Sequence, residues 1–241
     1  GHFYTIIMAG GVGSRFWPKK KKKKPKQFLD VLNTGKSLFQ ATYNRFEQLC
    51  PKENIYVVAN QDYYSIIKEQ VPDFSDDQVL LEPVARNTAP CIAYAVYKIQ
   101  QKDPDATIVV APSDHLIMNE KVFIDSVETA MNFASQRDVL VTLGIKPNRP
   151  DTGYGYIQMR EDDQEGALYR VKTFTEKPDV ELAKQFIASG EFFWNAGIFI
   201  MGVKSIIKAF EELLPDVAQC FSSNKGIYYT EGEKDFIGDA Y

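Results

Sequence analysis

Short, unbroken apolar runs alternate with longer amphipathic stretches between Phe3 and Ile145. Phe3–Ala9, Ile55–Ala59, Val79–Glu82, Thr107–Ala111 and Val139–Ile145 are continuous rather than alternating, the pattern of strands buried on both faces. Between them, Ser37–Cys50, Gln61–Gln70, Thr88–Gln101 and Lys121–Ser135 are predicted as helices. In the first of these, Leu38, Tyr43, Phe46 and Leu49 share a face at helical spacing, and Ser37 stands where an N-cap would. Strand–helix alternation of this kind predicts an α/β fold with a doubly wound, mainly parallel sheet. Ligands of such sheets bind outside the carboxyl ends of the strands.

After Lys146 the pattern changes. Tyr154–Arg160, Leu168–Thr175 and Gly197–Met201 read as strands with fewer helices between them. The sheet is therefore expected to be mixed, its second half packing on the first and closing the site. No Gly/Ser/Pro-rich linker and no internal repeat divides the chain, so residues 1–241 are expected to form a single domain.

Composition narrows the function. Of 241 residues, 44% are hydrophobic and 25% charged, enough apolar material for one large α/β core. Lys+Arg 28 against Asp+Glu 32 leaves a net charge of only −4. That balance argues against a nucleic-acid groove or a membrane-surface protein, both of which need a strongly basic face. Cys50, Cys91 and Cys220 are widely spaced, form no Cys-x-x-Cys pair and support neither a disulfide framework nor a structural zinc site. No apolar run reaches membrane-spanning length and no signal-peptide pattern opens the chain, so a reducing, cytoplasmic setting is expected. The lysine run Lys19–Lys24 reads as a solvated loop, with a phosphate-facing arm as the sharper alternative.

The segment Met8-Ala9-Gly10-Gly11-Val12-Gly13-Ser14-Arg15 directly follows the first strand. Its closely spaced glycines let the backbone approach a phosphate chain with N–H groups turned inward. Arg15 adds a planar cation with several donors for phosphate oxygens. A tight strand-to-helix turn without a ligand is the plainer alternative. A dinucleotide fingerprint would need glycine at Phe16, and a P-loop ending in Gly35-Lys36-Ser37 would need glycine at Asp30, so both fail. In Pro25-Lys26-Gln27-Phe28 a lysine is held between a rigid proline and an apolar anchor, suited to neutralising charge on a phosphoryl group. Asp114, in Pro112-Ser113-Asp114-His115, falls at the carboxyl end of a central strand. A carboxylate there can hold Mg²⁺, which binds through few carboxylates plus substrate phosphates. His115 reads as a structural hydrogen-bonding residue, since magnesium rarely takes imidazole.

These segments carry a resemblance. Gly10-Gly11-x-Gly13-x-Arg15, Pro25-Lys26-Gln27-Phe28, Glu82-Pro83-x-x-Arg86-Asn87-Thr88-Ala89-Pro90, Pro112-Ser113-Asp114-His115, Thr152-Gly153-Tyr154-Gly155-Tyr156-Ile157, Glu176-Lys177-Pro178 and Trp194-Asn195-Ala196-Gly197-Ile198-Phe199 occur in this order. Together they resemble the mannose-1-phosphate guanylyltransferases of the sugar nucleotidyltransferase superfamily, over nearly the whole chain. The resemblance implies a Rossmann-like nucleotidyltransferase fold. It implies that Gly10, Gly11 and Gly13 receive the nucleotide, with Arg15 and Lys26 on its phosphates. Glu82, Arg86, Asn87 and Thr88 would lie at base and ribose, although Arg86–Thr88 could merely cap the helix that follows. Gly155, Glu176 and Asn195 would meet the sugar, Lys177 its phosphate, and Asp114 the metal, Mg²⁺.

Two departures stand out. The family usually carries serine and arginine where this chain has Lys19–Lys24. The family's catalytic domain also continues past the equivalent of Tyr241, with a further metal-binding aspartate in a Trp-x-Asp-x-Gly-Ser-Trp-like segment, so the chain is expected to lack the C-terminal part of that domain. The implied reaction is transfer of a guanylyl group from GTP to mannose 1-phosphate, giving GDP-mannose and pyrophosphate. Alternatives are a relative using another sugar 1-phosphate or base, or a nucleotide-sugar binding module with little turnover. The expected partners are the two substrates, with room for a homodimer and none for nucleic acid or membrane.

Overall fold

The computed structural model describes residues 1–9, 25–83, 88–115, 117, 119–223 and 225–240. They group into two compact units, Gly1–Leu140 with Ile200–Tyr241, and Val141–Phe199.

The first unit is built on four parallel strands: β1 (Phe3–Ala9), β2 (Ile55–Asn60), β3 (Val79–Glu82) and β4 (Thr107–Pro112), in the order β3-β2-β1-β4. The continuous apolar runs place Ile6, Ile7, Ile55, Val57, Ile108 and Val109 wholly out of water, as strands covered on both faces require. Helices α1 (Leu38–Glu47), α2 (Tyr64–Gln70), α3 (Thr88–Lys102) and α4 (Glu120–Ala134) fall in the four predicted helical stretches. The start of α1 is the predicted one. Ser37 Oγ accepts from Gln40 N at 3.0 Å, and Ser37 N donates to Gln40 Oε1 at 2.9 Å, a reciprocal cap. Asn119 caps α4 by accepting from Val122 N.

The second unit is antiparallel where its register is defined. It holds β5 (Val141–Ile145), β6 (Tyr156–Glu165), β7 (Leu168–Thr175), α5 (Val180–Ser189) and β8 (Phe192–Gly202), whose last residues run on into the first unit. β6 pairs with both β7 and β8. The Val139–Ile145 run, expected to be buried on both faces, forms a shorter and half-exposed strand, with Ile145 at 43%. Its one pairing partner among the described residues is β8, and an apolar run does not distinguish a flanking strand from a central one. β6 extends beyond the expected Arg160 because Glu161–Glu165 form an exposed, polar hairpin arm that closes at Gly166, φ +63°. Asp179 caps α5, and Gly190 at φ +74° ends it in the left-handed conformation.

Three further helices, not anticipated from the sequence, return to the first unit: α6 (Val203–Leu213), α7 (Pro215–Ser222) and α8 (Glu233–Ala240). α6 buries Val203, Ile206, Ile207 and Phe210, spaced as one helical face. α3, α6 and α7 pack together, while α1 and α4 pack against β1, β2 and β4. Among the described residues no helix is long and apolar enough to cross a membrane.

α8 is tied to α3 by a buried ion pair. Lys98, 1% exposed, donates from Nζ to Glu233 Oε2 at 2.7 Å, and the same carboxylate accepts from Tyr94 OH and from Tyr229 N. Lys98→Ala would leave that carboxylate buried without its cation, at a cost of about 3–5 kcal/mol. Urea unfolding should show this loss, and replacing both partners together (Lys98→Met with Glu233→Leu) should recover most of it. A single variant as stable as the native chain would mean that the pair contributes nothing.

Candidate active site

In the first unit Glu82 ends β3 and Asp114 follows β4, each at the carboxyl end of a parallel strand. The register sets Met8 beside Pro112, so the end of β1 lies against the end of β4. Buried Ser113 donates from Oγ to Met8 O at 3.1 Å and fixes the point where both strands release the chain. Asp114 follows at once, its side chain half exposed, with His115 Nε2 3.5 Å from Oδ1. Gly10, Gly11, Gly13 and Arg15 continue from β1 but lie outside the described residues, as do Arg86, Asn87 and the side chain of Thr88.

Lys26 opens a single 3-10 turn, Lys26–Phe28, in which Phe28 N donates to Pro25 O. Phe28 is buried with its ring centroid 5.5 Å from those of both Phe39 and Tyr63, and Gln70 Nε2 holds its carbonyl at 3.1 Å. Lys26 is exposed on this anchored turn, as its proline and phenylalanine neighbours imply. Gln27 beside it is buried, its Nε2 without a hydrogen-bond partner among the described residues. Glu82 ends β3 and is only 3% exposed. Burial raises its carboxyl above the ordinary range, and a hydrogen bond with the Cys91 thiol pulls partly the other way. Glu82 thus links the end of β3 to the first turn of α3, on either side of residues 84–87.

The second unit holds the other group. Tyr156 is opposite Thr175 on β7 and Trp194 on β8. The registers end at Tyr156; one residue earlier Gly155 meets Asn195 of β8, and Glu176 follows Thr175 directly on the β7 side. The Asn195 N–H donates to Gly155 O at 2.8 Å. A Cβ on Gly155 would meet Thr175 O at 3.3 Å and Asn195 Cβ at 3.8 Å, so glycine is what lets the three strands close up here. Side chains alternate across a strand. Tyr156 and Trp194 pack with Ala183 and Phe186 of α5, which leaves Gly155, Glu176 and Asn195 on the face away from that helix. Asn195 Oδ1 accepts from Gly197 N at 3.0 Å, and Gly197 takes φ +72°. With its oxygen engaged, the amide keeps its Nδ2 donors for other partners. Lys177 is exposed next to Glu176, ahead of buried Pro178.

A carboxylate at the carboxyl end of a parallel strand suits a metal-bound polyphosphate, and an amide, a carboxylate and a lysine in the second unit suit a hydroxylated, phosphorylated ligand. The nucleotidyl transferase family model matches residues 4–228. The chain belongs to the nucleotidyl transferase family. This nucleotidyl transferase is similar to a mannose-1-phosphate guanylyltransferase from Klebsiella pneumoniae, 37% identical over 236 residues that cover 96% of this chain and 49% of that protein. The chain spans about half the length of the curated relatives it matches. A solved structure described as a mannose-1-phosphate geranyltransferase from Thermus thermophilus superposes with a TM-score of 0.82 at 29% identity, covering 99% of this chain and 68% of that one. Another, described as a mannose-6-phosphate isomerase from Helicobacter pylori, gives 0.73 at 26% identity, over 94% and 80%. The α/β architecture, with a mixed, mostly parallel sheet flanked by helices, is that of the Rossmann-like nucleotidyltransferases.

For a divalent ion the nucleotidyl transferase offers Asp114. It is half exposed, and no group of three or more His, Cys, Asp or Glu surrounds it among the described residues. One carboxylate completed by substrate phosphates and water is a donor set that Mg²⁺ accepts. Sequence reasoning passed over Arg149 and Asp151, which organise the loop before β6. Asp151 Oδ1 accepts from Gly153 N at 2.6 Å, while Oδ2 takes Arg149 Nη2 at 2.9 Å. The Arg149-Pro150-Asp151 spacing was the available signal.

The Gly153 N–H, and after it the Arg149 guanidinium, hold the Asp151 carboxyl below its ordinary value of 3.8. A depressed carboxyl contributes stability that is complete above the unfolded value and disappears as pH falls through the folded one. Asp151→Asn should therefore lower the thermal midpoint near neutral pH, and the gap to the native chain should close as pH drops below 3.8. A gap constant across that range would show that the carboxylate charge is not what holds the loop.

Proposed function

We propose that this chain transfers a guanylyl group from GTP to mannose 1-phosphate, releasing pyrophosphate and giving GDP-mannose. The observation that carries this reading is the group Gly155, Glu176 and Asn195, with Lys177 next to Glu176. A carboxylate accepts from sugar hydroxyls, the Asn195 amide donates to them, and an ammonium meets the phosphate. The relatives named as mannose-1-phosphate guanylyltransferases support the choice of sugar and base.

In the proposed reaction an oxygen of the sugar phosphate attacks the α-phosphorus of GTP. A new phosphorus–oxygen bond forms as the bond to the β-phosphate breaks, and pyrophosphate leaves in line with the electron pair. The attacking phosphate is already anionic near neutral pH, so no general base is needed and His115 has no such task. The N–H groups of Gly10, Gly11 and Gly13 cradle the triphosphate, while Arg15 and Lys26 neutralise charge that builds on it. Glu82, Arg86, Asn87 and Thr88 take the base and ribose. Asp114 holds Mg²⁺, which supplies charge neutralisation on the phosphates. The setting is cytoplasmic, with the two substrates as partners and a second copy of the chain as the one protein partner in view.

Pyrophosphate release over a grid of four triphosphates and several sugar 1-phosphates tests the reading. GTP with mannose 1-phosphate should be best, and ATP at least about tenfold poorer, since mismatched donors and acceptors in a base site cost roughly 1–3 kcal/mol each. Equal use of ATP and GTP would remove the guanylyl assignment. Lys26→Ala should lower kcat far more than GTP affinity, because its charge acts on the developing transition state. Asp114→Asn should abolish the Mg²⁺-dependent rate and leave thermal unfolding unchanged; near-native activity would sink Asp114 as the metal anchor.

A further inference from the structure

We propose that Arg149 is a positioning residue for the sugar 1-phosphate subsite, acting on Asn195 through the Trp194 indole. The proposal rests on the reading that Gly155, Glu176 and Asn195 receive the sugar.

Arg149 lies ahead of β6 with its side chain 57% exposed, yet each of its three guanidinium nitrogens donates a hydrogen bond. Nε and Nη2 donate to Asp151 Oδ2 at 3.1 and 2.9 Å, and Nη1 to Asn148 Oδ1 at 3.4 Å. Its Cζ stands 5.0 Å from the centre of the Trp194 ring. The contacts close into a ring. Trp194 Nε1 donates to Tyr156 OH at 3.1 Å, and that hydroxyl donates to the carbonyl of Asp151 at 2.7 Å, the residue that holds Arg149. Asn195 follows Trp194 directly and donates its backbone N–H to Gly155 O at 2.8 Å, so a shift of the indole passes through the chain to the segment that carries the Asn195 side chain.

Exposed ion pairs and surface cation–π contacts add little to global stability. The planar fork supplies instead a fixed geometry, touching carboxylate and ring at once, which an ammonium does not reproduce. A weakly stabilising, strongly directional contact one residue from a sugar-facing amide is a device for orientation.

The decisive comparison is the native chain against Arg149→Met and Arg149→Lys, by amide hydrogen exchange and by steady-state kinetics. In Arg149→Met the Asn195 and Gly197 amides should exchange at least about tenfold faster, while the slowest amides of β1 and β4 keep their rates. KM for mannose 1-phosphate should rise about tenfold, with kcat within about threefold and GTP affinity unchanged, because the sugar subsite binds alike in ground and transition states. Arg149→Lys should recover less than half of either effect. Adding Trp194→Phe to Arg149→Met should change KM little further, since both act through one contact. Unchanged exchange at Asn195, an unchanged sugar KM, or an equal loss of GTP affinity would each overturn the proposal. If the native chain releases no pyrophosphate with any sugar 1-phosphate, the functional reading fails by itself. The exchange measurement still decides whether Arg149 positions Asn195.

Discussion

A strand that is apolar along nearly its whole length must be covered on both faces, and β1 imposes that condition on the first unit. Ile6 and Ile7 reach no water, and the same holds for Ile55 and Val57 in β2 and for Ile108 and Val109 in β4. Strands of this kind run parallel and need crossover helices, so α1, α2 and α3 each carry the chain back to start the next strand from the same end. Every strand of the unit then ends on one side, where Glu82 closes β3 and Asp114 follows β4. The position of the chemistry is a consequence of where apolar residues are continuous.

The second unit solves a different problem. Its strands are half exposed and antiparallel, so pairing register rather than burial decides which side chains meet. A slip of one residue between β6 and β8 would move Asn195 away from Gly155 and turn Trp194 toward solvent. Trp194 is the guard against that slip, because its indole is buried beside Tyr156 and α5 and its Nε1 is committed to the Tyr156 hydroxyl. Gly155 guards the same register from the other side, since only a residue without a Cβ fits comfortably against Thr175 O.

Most of the parallel half was legible in the sequence because its signal is local. Continuous apolar runs mark β1 to β4, and Ser37 with Gln40 marks the start of α1. What was lost depended on distant partners. The exposure of Ile145 follows from which strand β5 pairs with, and the length of β6 follows from a polar hairpin whose residues bury nothing. The early start of β8 was hidden because Trp194-Asn195-Ala196 reads as a motif rather than as a strand. α6 does carry a local signal, the helical spacing of Val203, Ile206, Ile207 and Phe210, but it follows a strand so closely that its apolar start blends into the strand's end. Gly155, Glu176 and Asn195 were singled out by family resemblance, since no local rule relates three residues so far apart in the chain. Arg149 and Asp151 belong to none of the motifs, and it is their contacts that show what the Arg149-Pro150-Asp151 spacing does.

The candidate residues Lys26, Asp114, Lys177 and Asn195 each have a buried residue as a close chain neighbour. Lys26 is two residues from Phe28, Asp114 follows Ser113, Lys177 precedes Pro178, and Asn195 follows Trp194. The arrangement has a physical reason. A side chain that must meet a charged ligand has to remain hydrated until the ligand arrives, so it cannot be fixed by its own burial. Its backbone can be fixed, if the neighbouring residue is packed and hydrogen-bonded, and the site residue then pays only for its own rotamers on binding. This explains why the chemistry appears in the sequence as short mixed motifs of polar and apolar residues. A lysine in such a motif has a direction, whereas the lysines of Lys19–Lys24 have no apolar neighbour within the run to supply one.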